Sequence, residues 1–147
     1  MKTASPSITL LKPYYMHKGF LIIASILGAL SVVLGAFGAH ALKQVVPQES
    51  VATFETGVRY QFYHTFALFA AGILFQAYPG KWLVMSGWLF IIGIILFSGS
   101  LYLLTALKGA NTVGLKGVGI ITPFGGLFFV AGWICLLVGI IAGSSSK

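Results

Sequence analysis

The chain has 147 residues, of which 58% are hydrophobic and 7% are charged, and its mean hydropathy is +0.98. Soluble domains are about one quarter charged, and nine basic plus two acidic side chains cannot solvate the surface of a 15.6 kDa particle. The composition therefore excludes a soluble globular protein and indicates a chain surrounded mostly by lipid.

Four long uncharged runs divide the chain. They contain 24, 21, 26 and 30 residues between basic side chains. An α-helix of about 20 apolar residues crosses the hydrocarbon core of a bilayer, so each run can hold one span. We therefore predict an all-α fold, a four-helix transmembrane bundle. The predicted spans lie near residues 19–42, 60–78, 83–106 and 117–142.

Residues 1–17 are predicted to form a flexible N-terminal tail before the first span. A small-x-small tripeptide centred on His40 resembles a signal-peptide cleavage site. The apolar run before it, and the segment before that run, are both too long for a secretory signal, so we expect the first span to remain in the mature protein. Residues 18–143 should form a single four-span transmembrane domain, and 144–147 a short C-terminal tail.

The connection between spans one and two has its own helical pattern. Pro47 can begin a helix, and apolar residues recur after it at helical spacing. Glu55 lies four residues before Arg59, which is the spacing of a stabilising ion pair. We predict that residues 47–59 form a short interfacial helix leading into span two, with Gly57 as the candidate position for a bend.

The next two connections are short. The segment 78–82 contains Pro79 and Gly80 between interfacial aromatic residues, a pattern typical of a tight turn. Spans two and three are therefore expected to form an antiparallel helical hairpin. Residues 108–116 should be a short polar loop on the opposite side of the membrane. The single cysteine, Cys135, lies within the fourth span, so no disulfide can form inside the chain.

Small residues recur on one face of span one and on one face of span four. Glycine weakens a helix in water but allows helices to approach closely in lipid, so these repeats predict packing grooves. In span four the glycines recur every seven residues, which is the period of a coiled seam. The predicted packing positions are Gly28, Gly35 and Gly38 in span one and Gly125, Gly132 and Gly139 in span four.

The net charge of +7 is spread singly over the segments that flank the spans, and no basic stripe exists that could follow a phosphate backbone. The lipid bilayer is therefore the expected partner of these charges, and no nucleic acid is expected. An even number of spans places both termini on one side. That side carries five basic residues against four on the other, a small excess that favours cytoplasmic termini.

Four sequence blocks carry a family resemblance, and together they touch every predicted span. The blocks are LGAFGAH at 34–40, FETGVRYQFYHT at 54–65, LFSGSLY at 96–102 and TPFGGLFFVAGW at 122–133. The chain resembles domain-of-unknown-function family 423, a family of small bacterial inner-membrane proteins, and is similar to small eukaryotic transmembrane proteins. The resemblance implies a four-span protein of the bacterial plasma (inner) membrane with cytoplasmic termini. It implies no activity and no cofactor. The long N-terminal tail departs from the shorter starts of such proteins.

Polar residues are concentrated in the membrane half that lies away from the termini. Each polar side chain is costly in lipid and needs a structural or functional reason. Helical geometry places several polar residues of span two on one face, so we predict a polar pocket in one leaflet. Its candidate residues are His40, Glu55, Tyr60, Gln61, His64, Ser98, Ser100, Tyr102 and Thr122.

Three interpretations of this pocket are open. Its polar groups can join the helices by hydrogen bonds. They can also bind a proton or small ligand, with His40 or His64 as the titrating group and Tyr60 and Gln61 as hydrogen-bond partners. No cofactor is predicted, and haem or a metal ion at His40 and His64 is the minor alternative, because two histidines without nearby carboxylates or thiolates form a weak ligand set.

The sequence disfavours an enzyme. It contains no Asp, so a pair of Ser98 or Ser100 with a histidine would lack an acidic orienting group, and no catalytic residues are predicted. A structural or accessory membrane subunit, within a homo-oligomer or a larger membrane complex, is the favoured function. The alternatives are a small-ligand- or proton-binding protein related to transport and a haem- or metal-binding membrane protein.

Overall fold

The computed structural model describes residues 15–110 and 116–144. Within these two ranges the regular structure is entirely helical, which agrees with the all-α prediction. Residues 1–14 of the expected tail at 1–17, residues 145–147 of the expected tail at 144–147, and most of the expected polar loop at 108–116 lie outside the described residues. The elements are α1 (Lys18–Ala39), a 3-10 turn (Leu42–Gln44), α2 (Gln48–Leu74), α3 (Lys81–Gly93), a π-helical segment (Ile94–Ser98), α4 (Gly99–Gly109) and α5 (Lys116–Ser144).

The π-helical segment joins α3 to α4 without a break, so Lys81–Gly109 is one continuous rod of 29 residues, here called the third rod. Three helices of the described chain are long and apolar enough to cross a membrane: Lys18–Gln44, the third rod and Gly117–Gly143. The helix α2 has 27 residues and is also long enough, but its mean hydropathy is lower. The predicted bundle is thus supported for three spans.

The predicted interfacial helix at 47–59 is not a separate element. These residues are helical, but they form the first half of α2, which continues without interruption through Gly57. Gly57 serves close packing, since a Cβ added there would lie 2.8 Å from the Tyr102 ring. The expected Glu55–Arg59 ion pair is also wrong. Arg59 donates instead to the Thr56 hydroxyl at 3.3 Å.

The most extensive helix contacts join α1 to α2 and α3 to α5. The second pair packs through large side chains that meet glycines. The contacts are Gly125 with Phe97, Gly132 with Phe90 and Gly139 with Leu83. The large residues, like the glycines, recur every seven positions, so two antiparallel heptad repeats fit together along this seam. At one position the roles are exchanged, because the Phe129 ring of α5 packs against Gly93 of α3.

The α1–α2 pair also uses its predicted glycines, but with more space. A Cβ added to Gly28 would lie 3.7 Å from Thr65, and one added to Gly35 would lie 3.7 Å from Val58. Both are ordinary van der Waals distances. Closer packing occurs at the end of α1, where a Cβ on Gly38 would lie 3.1 Å from the ring of Phe54.

The hydrophobic core lies where α1 and α2 meet α3 and α5. We call the contact between α3 and α5 the tight seam and the contact between α1 and α2 the loose seam. The buried members of the core include Phe20, Leu68, Leu83 and Phe90. Phe20, near the start of α1, packs into the space left by Gly87 of α3. This contact connects the α1–α2 pair to the α3–α5 pair.

Candidate functional site

Gln61 joins three helices by hydrogen bonds. Its side chain is 2% exposed. The amide Nε2 donates to the Leu27 carbonyl of α1 at 3.1 Å, and Oε1 accepts a hydrogen bond from the Tyr102 hydroxyl of α4 at 3.0 Å. The Leu27 carbonyl also accepts from the Ser31 hydroxyl at 2.8 Å. We call these contacts the Gln61 bridge, which connects α1, α2 and α4 inside the bundle.

Two further polar contacts cross between helices. The hydroxyls of Ser100 in α4 and Thr122 in α5 are 2.7 Å apart. The Thr105 hydroxyl donates to the Ser50 carbonyl of α2 at 3.3 Å and to the Leu101 carbonyl of its own helix at 3.0 Å. Together with the Gln61 bridge, these bonds tie α4 to α2 and α5, which is how polar groups stabilise helix association in lipid.

His64 lies in an aromatic cluster between α2, the third rod and α5. Its ring stacks on Phe129 with centroids 3.4 Å apart and planes 6° from parallel. Its Nδ1 donates to the Tyr60 carbonyl of the same helix at 2.8 Å. Tyr60 in turn stacks on Phe97 at 4.5 Å. His64 is 7% exposed, so its main contacts are aromatic packing and a hydrogen bond to its own helix.

The two histidines of the predicted pocket are not brought together. His40 is exposed at the end of α1, and its Nδ1 bonds to the Ala36 carbonyl at 3.1 Å. Gly38 packs beside Phe54, so His40 lies near the start of α2. His64 is ten residues beyond Phe54, which is about 15 Å along an α-helix. The antiparallel register of α1 and α2 therefore separates His40 from His64 along the bundle.

This separation also bears on the metal alternative. A metal site in a protein needs several donor groups within coordination distance of one point. Within the described ranges, no group of three or more His, Cys, Asp or Glu side chains is placed to hold a metal ion. His40 and His64 therefore belong to no such group among the described residues.

Two other predicted pocket residues stand apart from the polar network. Glu55 is half-buried in a cleft between α1 and α2 and takes part in none of the interhelical hydrogen bonds described above. Ser98 lies in the π-helical segment and is fully buried, and its hydroxyl has no hydrogen-bond partner in the described chain. The predicted set thus divides into a bonded group (Gln61, Ser100, Tyr102 and Thr122), an aromatic pair (Tyr60 and His64) and three separate residues (His40, Glu55 and Ser98).

Sequence reasoning missed several contributors to the network. The Leu27 and Ser50 contributions are backbone carbonyls, which no side-chain pattern can reveal. Phe129 was not selected because one phenylalanine among many in an apolar helix carries no distinctive signal. Thr105 had a usable signal, since it is a polar residue in a long apolar run.

Comparison with known proteins places this chain in a family. A family model described as "Protein of unknown function (DUF423)" matches residues 34–126, a range that includes the Gln61 bridge except for Leu27 and Ser31. The UPF0382 membrane protein YwdK of Bacillus subtilis (strain 168) is 40% identical over 122 residues, which cover 82% of this chain and 94% of that protein.

Relatives in other bacteria show similar coverage. The UPF0382 inner membrane protein YgdD of Escherichia coli (strain K12) is 38% identical over 121 residues, covering 82% of this chain and 88% of that protein. The UPF0382 membrane protein SH2409 of Staphylococcus haemolyticus (strain JCSC1435) is 36% identical over 123 residues, covering 82% and 93%. No solved structure matches the chain significantly.

Proposed function

This chain belongs to the DUF423 family, a family of membrane proteins of unknown function, and we propose that it is a structural or accessory subunit of the bacterial plasma membrane. In this proposal the protein acts by presenting a rigid helical surface to other membrane components. It performs no chemistry of its own.

The interhelical hydrogen bonding carries this proposal. Gln61, Tyr102, Ser100, Thr122 and Thr105 all bond to another helix. A catalytic or transport site needs polar groups that are free to contact a substrate. These five side chains are instead engaged between helices, and they hold the helices in a fixed arrangement, which is what a scaffold requires.

We further propose that α2 also crosses the membrane, which gives four spans, and that both termini face the cytoplasm. With 27 residues, α2 is long enough to cross, and it packs against both α1 and the third rod. Its polar residues Gln61 and Thr65 are buried, whereas the apolar Phe66 is 60% exposed. This distribution suits a helix with lipid on its outer side, because a bilayer reverses the usual preference of surface residues.

Reporter fusions test the topology. We expect a reporter placed after Lys147 to be cytoplasmic and a reporter inserted within residues 47–55 to be on the opposite side. A reporter after Gly80 should again be cytoplasmic. If the fusions at 47–55 and after Gly80 report the same side, α2 does not span and the four-span proposal fails.

An aromatic surface beside His64 is the proposed partner contact, within a homo-oligomer or a larger membrane complex. Tyr63 is 58% exposed and Trp133 is 50% exposed, and Tyr60 lies beside them. The Tyr63 hydroxyl forms no hydrogen bond with any described residue, and exposed aromatic side chains with a polar tip are enriched at protein interfaces. A protein partner on this face would supply that hydrogen bond.

Native mass spectrometry of the full chain, purified in a mild detergent, tests the subunit proposal. We expect the protein to be recovered in a defined assembly, and we expect Tyr63→Leu to dissociate it. Ile95→Ala is the matched control, since Ile95 is 64% exposed on another helix and should leave the assembly intact. Recovery as a monomer that carries a bound chromophore or metal would contradict the proposal.

A further inference from the structure

Two clefts open along the seam between α1 and α2. One has a volume of about 260 Å³ and is bounded by Gly35, Gly38, Phe54, Glu55, Val58 and Arg59, among others. The other has a volume of about 200 Å³ and is lined by apolar surface from Gly28, Phe62, Phe66 and Phe69 with their neighbours. Both exist because the glycines of α1 contact α2 loosely.

The clefts follow one edge of α2. Glu55, Arg59, Phe62, Phe66 and Phe69 recur at intervals of four, three, four and three residues, which places them on a single stripe of the helix. Two charged residues therefore begin the stripe at the end near His40, and three aromatic residues continue it toward the middle of the bundle.

The two charges of this stripe are not neutralised by each other or by neighbours. Glu55 is half-buried and forms no hydrogen bond or ion pair with any described residue. Arg59 contacts only the Thr56 hydroxyl by hydrogen bond. By contrast Glu49, the other acidic residue of the chain, pairs with Lys108 at 3.3 Å. A carboxylate and a guanidinium that lie one turn apart at a membrane cleft are complementary to a ligand with one negative and one positive group.

We propose that this edge binds a phospholipid whose headgroup carries a phosphate and a primary ammonium group. Arg59 binds the phosphate, Glu55 accepts hydrogen bonds from the ammonium, and one acyl chain lies in the apolar cleft beside Phe62 and Phe66. Charge-assisted hydrogen bonds of this kind are among the strongest polar contacts available.

The order of residues along α2 supports this orientation. Glu55 lies level with Gly38, one residue from the end of α1, and Arg59 lies about 6 Å deeper, one helical turn along. The apolar cleft follows deeper still. In such a lipid the ammonium is outermost, the phosphate lies beneath it and the acyl chains lie beneath the phosphate. The protein presents carboxylate, guanidinium and aromatic surface in the matching sequence.

Native mass spectrometry with defined lipids tests the proposal. The full-length protein in neutral detergent is mixed with equal amounts of phosphatidylethanolamine, phosphatidylcholine and phosphatidylglycerol. We expect preferential retention of phosphatidylethanolamine, because a quaternary choline cannot donate hydrogen bonds to Glu55 and a glycerol headgroup has no cation. Glu55→Gln should reduce the preference over phosphatidylcholine by about tenfold, and Arg59→Gln should lower retention of all three lipids.

Glu49→Gln is the matched control, since it removes the same charge near the same end of α2 and should leave the lipid preference unchanged. Equal retention of the three lipids by the unaltered protein, or a preference that survives both substitutions, would overturn the proposal. Recovery of a lipid-free dimer that Glu55→Gln dissociates would assign the edge to a second copy of the chain.

The inference rests on the proposed position of α2 in the bilayer, and the two can fail separately. The reporter fusions decide the topology without any lipid measurement. If they support four spans and no lipid preference is found, only the lipid site is excluded.

Discussion

The two helix pairs of this bundle use the same residue type in different ways. Between α5 and α3 with the π-helical segment that follows it, each glycine of a heptad series faces a large residue, and a Cβ added to Gly125 would meet backbone atoms of Phe97. Between α1 and α2, the central glycines leave ordinary contact distances and two clefts. A glycine repeat therefore predicts close approach only when the facing helix supplies large residues in the same register.

The two pairs also differ in what holds them together. The α3–α5 seam is apolar and is stabilised by shape, since the Phe90 ring packs against Gly132, Leu83 against Gly139 and the Phe97 backbone against Gly125. The α1–α2 seam is looser and carries the hydrogen bond from Gln61 to the Leu27 carbonyl. Because lipid offers little hydrophobic driving force for helix association, tight packing and polar contacts are the two available ways to hold helices together. This protein uses one in each pair.

The largest expected effect comes from adding a methyl group inside the tight seam between α3 and α5. Gly125→Ala should destabilise the protein by about 3 kcal/mol, because the added methyl group would require the backbone near Phe97 to move. Thermal unfolding in detergent measures the change. The control is Gly126→Ala, whose Cβ would lie 4.0 Å from the Phe97 ring. Similar losses for both variants would show that the seam is not the cause.

Removing the polar contact of the loose seam should have a smaller effect. Gln61→Leu should cost about 1 to 2 kcal/mol, because the Tyr102 hydroxyl loses its acceptor inside the bundle. Tyr102→Phe in combination should show a coupling of about 0.6 kcal/mol in a double-mutant cycle. Tyr15→Phe is the control for loss of a hydroxyl, since Tyr15 is 70% exposed. An uncoupled result would mean that the hydrogen bond between Tyr102 and Gln61 does not help to hold α4 against α2.

His64 connects the two pairs, since it belongs to α2 and stacks on Phe129 of α5. His64→Gln should lower stability by about 1 kcal/mol through loss of this aromatic contact. His40→Gln, at an exposed site, should have almost no effect. If His64→Gln leaves the unfolding temperature unchanged but abolishes a cellular phenotype, His64 has a ligand- or proton-binding role that the scaffold proposal does not include.

The smallest effect is expected at the centre of the loose seam. Gly35→Ala should change stability by no more than about 0.5 kcal/mol, because its Cβ would make an ordinary contact with Val58 at 3.7 Å. The same unfolding assay used for Gly125→Ala makes the comparison direct. A loss as large as that of Gly125→Ala would show that the two seams are equally tight.

Much of the candidate site could be predicted from the polarity of its residues alone. Gln61, Ser100, Tyr102 and Thr122 are polar residues in apolar runs, and all four form interhelical hydrogen bonds. The same reasoning grouped His40 with His64, because both belong to the same half of the membrane. It could not separate them, since the distance depends on how α1 aligns with α2, and helical periodicity within one segment contains no information on that alignment.

The sequence by itself determined the membrane class, the all-helical fold, the family resemblance and the glycine positions at which close packing could occur. These follow from composition and local periodicity, which depend on residues within a few turns of each other. Only the tertiary structure decided that α5 packs on α3, that Leu83, Phe90 and Phe97 fill the glycine positions, and that Glu55 and Arg59 border an open cleft. Those outcomes depend on the register between helices, which is set by contacts between residues far apart in the chain.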